Sequence, residues 1–238
     1  MRSKQILLVA SFVTFIVSLV VFSGIGHSAS PGPATDSPSI VNKTRSFEVV
    51  GVNNEGKELH LQLKNNYTKT ITAFEISIGP DFSVTEEFVF AEVSDAGIKP
   101  QGIFSKSYPL PSTTQQMPTF DVTIKTIVLD DGSGDGDALA FEDIKAKRLG
   151  EEIQLRRAVE MLGRFFEKSE SDIEQLKADV TNALNRDSDK PLSGKIKQGL
   201  DRGRANVLRK MAEIEDQNSE VEKLKQVKGT YERILTRL

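Results

Sequence analysis

The chain has no cysteine and no tryptophan, and only two histidines among its 238 residues. Without cysteine there are no disulfides, no thiolate metal ligands and no cysteine nucleophile, so the fold must be held by its cores. His27 sits beside an N-terminal apolar run and His60 in a strand-like segment. No histidine pair can therefore chelate zinc, and a serine triad would have to recruit His60 alone. The missing tryptophan removes the broad aromatic surface on which sugar sites commonly rest. A concentrated positive face is also lacking. The most basic stretch, Arg186 to Lys210, holds eight basic and three acidic residues, a ratio that solvated helix faces reach without touching nucleic acid. The formal net charge is −3, with 8 Lys+Arg against 14 Asp+Glu in residues 41–137 and 21 against 19 in residues 138–238. No nucleic-acid partner is expected. Catalysis is not expected either, and a hydrolase using His60 with Glu86 or Glu87 is the remote alternative.

What is present begins with "MRSKQILLVASFVTFIVSLVVFSGIG". Arg2 and Lys4 precede an uncharged run, and Ile6 to Gly26 spans 21 residues. A signal-peptide core needs about 7–15 apolar residues and a spanning helix about 20, so the length favours an uncleaved anchor. The small residues from Gly26 to Ser30 offer the alternative of cleavage and secretion. In either case the positive flank stays in the cytoplasm and the remainder lies outside. The following "SPGPATDSPS", with three prolines, reads as a flexible spacer within residues 30–43.

From Ser46 to Leu129 the apolar residues alternate, which predicts half-buried strands. The candidates are "SFEVVGV", "ELHLQLK", "KTITAFEISI", "FSVTEEFVF", "GIFSKSYPL" and "FDVTIKTIVL". Asn53-Asn54-Glu55-Gly56, Asn65-Asn66, Gly79-Pro80-Asp81 and Ser94-Asp95-Ala96-Gly97 supply turn chemistry between them. Six short strands without an intervening helical pattern predict an antiparallel β-sandwich over residues 44–130. His60, alternating with Leu59, Leu61 and Leu63, should face solvent. Tyr67, Phe104 and Tyr108 are candidates for a small contact patch, although strand aromatics belong more often to the core.

The stretch "GVNNEGKELHLQLKNNYTKTITAFEIS" resembles the opening of immunoglobulin-like or fibronectin-like sandwiches in uncharacterised exported bacterial proteins. There an Asn-rich turn follows the first strand and "LKN" ends the next. The resemblance covers about residues 46–130 and implies an extracytoplasmic binding or spacer module. It brings no catalytic residues with it.

Beyond Leu129 the periodicity changes to helical spacing. Phe141, Ile144, Leu149, Ile153, Leu155, Val159, Leu162 and Phe166 predict an amphipathic helix from Ala138 to about Glu167. Ser171 with Glu174 suggests a capping box that opens a second helix to about Leu184. Residues from Ile196 to Leu238 read as one further helix after a loop at Pro191. Leu200, Val207, Ile214, Val221 and Leu235 fall on a seven-residue grid that Lys228 interrupts, and Leu224, Tyr231 and Leu238 add a second seam. This predicts either a coiled coil between chains or a helical hairpin folding back on residues 140–167.

Between the two patterns lies "DDGSGDGDALAFED", residues 130–143. With Asp131 first, Ser133, Asp135, Asp137 and Glu142 occupy calcium-loop positions and Gly136 supplies the sharp turn. Its strand-like entrance and the lack of a second such loop favour a plain turn, with Asp137 capping the following helix. The sequence thus predicts an α+β chain of several parts: anchor or signal 1–29, linker 30–43, sandwich 44–130, hinge 131–137 and helical region 138–238. Its expected role is non-catalytic structural or protein interaction at the cell envelope, through the membrane segment and through the C-terminal helix. No cofactor is expected, and a calcium-dependent module is the alternative.

Overall fold

The computed structural model describes residues 38–89, 97–117, 119–167, 172–185, 192, 194–214 and 220–238. The apolar N-terminal run, His27, most of the expected spacer, Ser171 and the Pro191 loop lie outside these residues. No described helix is long and apolar enough to cross a membrane.

All six expected strands are present: β2 (Phe47–Asn54), β3 (Glu58–Asn65), β4 (Ile71–Ile78), β5 (Phe82–Glu87), β6 (Ile103–Pro109) and β7 (Asp121–Leu129). Two more are added. β1 (Ser39–Asn42) lies within the expected linker and β8 (Gly134–Gly136) within the expected hinge. Four helices follow, α2 (Ala138–Glu167), α3 (Ile173–Leu184), α4 (Gly194–Ala212) and α5 (Glu220–Leu235), and a one-turn α1 (Ser112–Gln115) precedes β7. The chain is thus α+β.

One sheet has the order β1-β7-β4-β5 with β8 also on β7, and the other has the order β2-β3-β6. The second is antiparallel throughout. The first is mixed, because β1 runs parallel to β7 with Ser39 opposite Asp121 and Asn42 opposite Ile124. The expectation of a wholly antiparallel sandwich fails at this strand. β1 is only four residues long and exposed throughout, so it leaves no alternating burial signal to read.

The two sheets share one core. Phe47, Leu59, Leu61, Leu63, Phe74, Ile76 and Ile78 meet Val122, Ile124 and Ile127 within it. Burying each such side chain contributes about 1.5–3 kcal/mol. Tyr108, at 2% exposure, and half-buried Phe104 belong to this core, so the expected contact patch does not form. Phe104 stacks edge-on against Phe74 at 5.3 Å and against Phe88 at 5.6 Å. At the rim, Lys106 of β6 reaches Glu86 of β5 at 2.7 Å and closes the gap between the sheets.

β4 is buried on both faces. Its outward Ala73, with Val128 of β7, packs under Ile144 and Phe141 of α2. This is why "ITAFEISI" is apolar nearly without interruption. Asp137 caps α2, its Oδ1 accepting from the Leu139 and Ala140 amides at 3.1 and 3.2 Å. Asp172 caps α3 by accepting from the Gln175 amide at 2.9 Å, one position beyond the cap expected at Ser171.

The single helix expected from Ile196 to Leu238 is two. α4 runs in the same direction as α2, since Lys147 meets Gly199 and Gln154 meets Gly203. α5 runs the opposite way, with Lys228 beside Gly163 and Tyr231 and Ile234 beside Leu155. Both helices lie on α2. The heptad grid is therefore used within the chain: Leu200, Val207 and Ile214 are buried, while Val221 is 46% exposed. A continuous seam along residues 196–238 is not formed, because reversal between α4 and α5 lets each helix bury its own stripe on α2.

Candidate functional site

The acidic stretch after β7 is a hairpin. Gly132, at φ 78°, turns the chain, and β8 pairs back on β7 with Gly134 opposite Val128 and Gly136 opposite Thr126. Gly134 leaves room for the Phe141 ring. Asp131, Asp135, Asp137 and Glu142 then each meet a separate cation, while Asp130 accepts from the Thr70 amide at 3.3 Å. Asp135 accepts from the Arg45 amide at 2.7 Å, from Arg45 Nε at 3.0 Å and from the Tyr67 hydroxyl. Asp131 pairs with Lys69 and accepts from the Ser133 hydroxyl at 2.6 Å. Asp137 pairs with Lys43 at 2.9 Å, and Glu142 lies 3.5 Å from Lys145 on α2. Of the calcium candidates Asp131, Ser133, Asp135, Asp137 and Glu142, the four carboxylates are thus met by protein cations, and Ser133 donates to Asp131. Among the described residues no three acidic or histidine side chains gather as a metal shell.

The electrostatics follow from these partners. Hydrogen bonding from Lys69 and then Ser133 holds the Asp131 carboxyl below its ordinary range. Lys43 and the α2 amides do the same for Asp137. At Asp135 burial pushes upward, but the donors Tyr67 and Arg45 outweigh it and the carboxyl lies below its ordinary 3.8. Burial, followed by the bond to Asp135, raises the Tyr67 hydroxyl. The hairpin is therefore a latch that ties the segment between β1 and β2, and the turn between β3 and β4, to the start of α2. Nothing in the sequence linked Lys43, Arg45, Tyr67 and Lys69 to the acidic stretch, because they lie more than sixty positions from their partners.

Two results are expected. Millimolar calcium leaves the melting temperature unchanged, and Asp135→Asn lowers it by about 2–4 °C with or without calcium, since a charge-assisted hydrogen-bond set is lost. A calcium-induced rise that Asp135→Asn abolishes would restore the metal reading. A carboxyl whose folded pKa is depressed stabilises above the unfolded value and loses that stability as pH falls through the folded one. Melting of the native chain should therefore decline below pH 3.8, and less steeply in Asp135→Asn.

The residues named for a hydrolase are not brought together. Glu86 pairs with Lys106 and Glu87 with Arg148. His60 instead meets Ser107 directly across the β3–β6 ladder through Nδ1, and Glu55 at 3.2 Å through Nε2. The order serine, histidine, carboxylate is that of a triad, but Ser107 is exposed on an outer strand face, where water is not excluded and charge development goes unsupported. The group is a cross-strand polar cluster.

The most buried charges lie between the first sheet and the helices. Arg148 of α2, with 9% of its side chain exposed, donates to Glu87 Oε2 through Nε at 3.0 Å and Nη2 at 2.9 Å, and to the Thr72 hydroxyl at 3.2 Å. Thr72 in turn donates toward the Val128 carbonyl at 3.2 Å. Burial raises the Glu87 carboxyl, and Arg148 only partly offsets this. One turn on, Glu151, 1% exposed, pairs with Arg202 of α4. The first pair holds α2 on β5 and the second holds α4 on α2.

No known protein family, curated protein or solved structure matches the chain.

Proposed function

We propose that this chain is an exported, membrane-anchored protein of the cell envelope with a structural or protein-interaction role and no catalysis. In this reading residues 1–29 hold it in the membrane and the spacer carries an immunoglobulin-like or fibronectin-like sandwich outside, with the helices built onto it. The observation that carries the reading is the N-terminal pattern: Arg2 and Lys4, then the 21 uncharged residues from Ile6 to Gly26, then "SPGPATDSPS". Two features of the folded part agree with it. The only histidine there is tied into a polar cluster on an exposed strand face, and buried ion pairs fix α2 to the sheet and α4 to α2. Such a body suits presentation of surfaces better than opening around a substrate.

The absence of cysteine makes the topology directly testable. Ser105 is exposed on β6, so Ser105→Cys introduces a single thiol without disturbing the core. In intact cells of a producing bacterium, or in spheroplasts, a membrane-impermeant maleimide labels that thiol, and the chain stays with the membrane after alkaline carbonate. Labelling only after lysis would place the sandwich inside and overturn the reading.

A further inference from the structure

β1 is held lightly. It pairs with β7 over four positions, from Ser39 opposite Asp121 to Asn42 opposite Ile124. All four residues are exposed, and neither Ile40 nor Val41 belongs to the core between the sheets. β7 does not depend on this strand. On its other edge it pairs with β4, where Val122 faces Ile78 and Ile124 faces Ile76, all four fully buried. Removing β1 therefore leaves β7 in place. The stretch that follows β1 is irregular, and of Lys43, Thr44 and Arg45 only Thr44 is buried. Lys43 rests on Asp137, and Arg45 rests on Asp135 through its amide and Nε. The Lys43 and Arg45 side chains are 46% and 80% exposed, and ion pairs so open to water hold weakly. The firmly held chain begins at Ser46, whose carbonyl accepts from the Asn66 amide at 2.8 Å, and at fully buried Phe47.

We infer that residues 39–45 are a releasable strap: β1 and the stretch after it lift off β7 and the acidic hairpin together while the rest of both sheets stays folded. Asp135 sets how readily this happens, because it is the shared acceptor for Arg45 and for Tyr67, and the Tyr67 hydroxyl in turn accepts from the Ser46 amide at 3.2 Å. Release moves the first fixed residue from Ser39 to Ser46 and frees up to about 23 Å of chain. In a membrane-anchored protein that length adds to the spacer, so the strap governs how far the sandwich reaches from the bilayer. This consequence rests on the envelope reading, which the maleimide labelling tests separately, whereas the strap itself does not.

The test is amide hydrogen exchange, read by mass spectrometry on the full chain in lipid nanodiscs. Amides from Ile40 to Arg45 should exchange at least about 100-fold faster than those of β4. Their rate should stay flat up to about 2 M urea, since lifting the strap exposes little surface, whereas exchange in β4 accelerates with urea. Asp135→Ala removes the shared acceptor and should speed exchange of the strap about tenfold, with β4 in the same sample still far slower. Val41→Cys with Thr123→Cys, opposite each other in the ladder, joins the strap to β7. Oxidation of that pair should slow strap exchange at least about tenfold, and reduction should restore the native rate. Exchange of the strap and β4 at one rate and with one urea dependence overturns the inference, because the segment then opens only with the whole fold. An oxidised pair that exchanges as fast as the reduced one overturns it as well. An unchanged strap in Asp135→Ala overturns the role given to Asp135.

Discussion

Gly199→Ala is expected to destabilise the helical part by about 3 kcal/mol or more, measured by urea unfolding followed in the far-ultraviolet circular dichroism. A Cβ at Gly199 would fall on the Lys147 carbonyl of α2. The neighbour is backbone and cannot rotate away, so α2 and α4 must separate. Gly150 stands on the other side of the same crossing, where a Cβ would meet the Ile196 carbonyl and the Leu200 amide. Gly203 continues it: a Cβ there would stand 3.0 Å from Gln154 Cβ. Each glycine inside a helix costs about 0.5–1 kcal/mol relative to alanine, and here the close approach of two backbones offsets that cost. Overpacking of a tight contact typically costs about 1–3 kcal/mol, and a backbone collision lies at or above the top of that range. Gly229 supplies the control. It lies inside α5, and a Cβ there meets nothing within 4 Å. Gly229→Ala should therefore stabilise by about 0.5–1 kcal/mol. If Gly199→Ala and Gly229→Ala shift stability in the same direction, the parallel crossing of α2 and α4 is wrong.

The second large effect belongs to Arg148. Its replacement by alanine leaves Glu87, with 6% of its side chain exposed, as an uncompensated buried carboxylate, and a loss of about 3–5 kcal/mol is expected at neutral pH. The sign of the pH dependence follows from the raised Glu87 carboxyl. A carboxyl with folded pKa above its unfolded value contributes stability below the unfolded value and loses it as pH rises through the folded one. Arg148→Ala should therefore recover part of its loss on acidification from neutral pH toward the ordinary 4.5. The double variant Arg148→Met with Glu87→Leu removes both charges from the seam and should return to within about 1 kcal/mol of the native chain, or exceed it. A single variant costing under about 1 kcal/mol would mean that α2 does not bury this pair on β5.

The strands and the first long helix were legible because their signals are local. Leu59, Leu61 and Leu63 alternate along β3 and all three are buried, and helical spacing begins at Ala138, where α2 begins. β1 and β8 were not legible. They are four and three residues long, and what makes them strands is pairing with β7, which no local pattern records. The acidic stretch shows the same limit at the level of a site. Its spacing fits a calcium loop, but Arg45 and Lys43 from the segment between β1 and β2, and Lys69 from the turn between β3 and β4, arrive to meet Asp135, Asp137 and Asp131. Likewise the heptad grid of Leu200, Val207 and Ile214 correctly identifies a buried stripe. Its partner is α2, and periodicity alone is the same for a neighbour in the chain and for another chain.

By itself, then, the sequence determined what depends on neighbours along the chain: the period-two strands, the turns at Asn-Asn and Gly-Pro pairs, the onset of helix at Ala138, the cap at Asp137 and the absence of thiol chemistry. The tertiary structure alone decided what depends on neighbours in space. It set the parallel β1, split the last helical stretch into two helices on α2, buried the Arg148–Glu87 pair, and gave Asp131, Asp135 and Asp137 a cation each. The physical reason is that side-chain period and backbone propensity act over a few residues, whereas burial and ion pairing are fixed only when segments sixty or ninety positions apart are brought into contact.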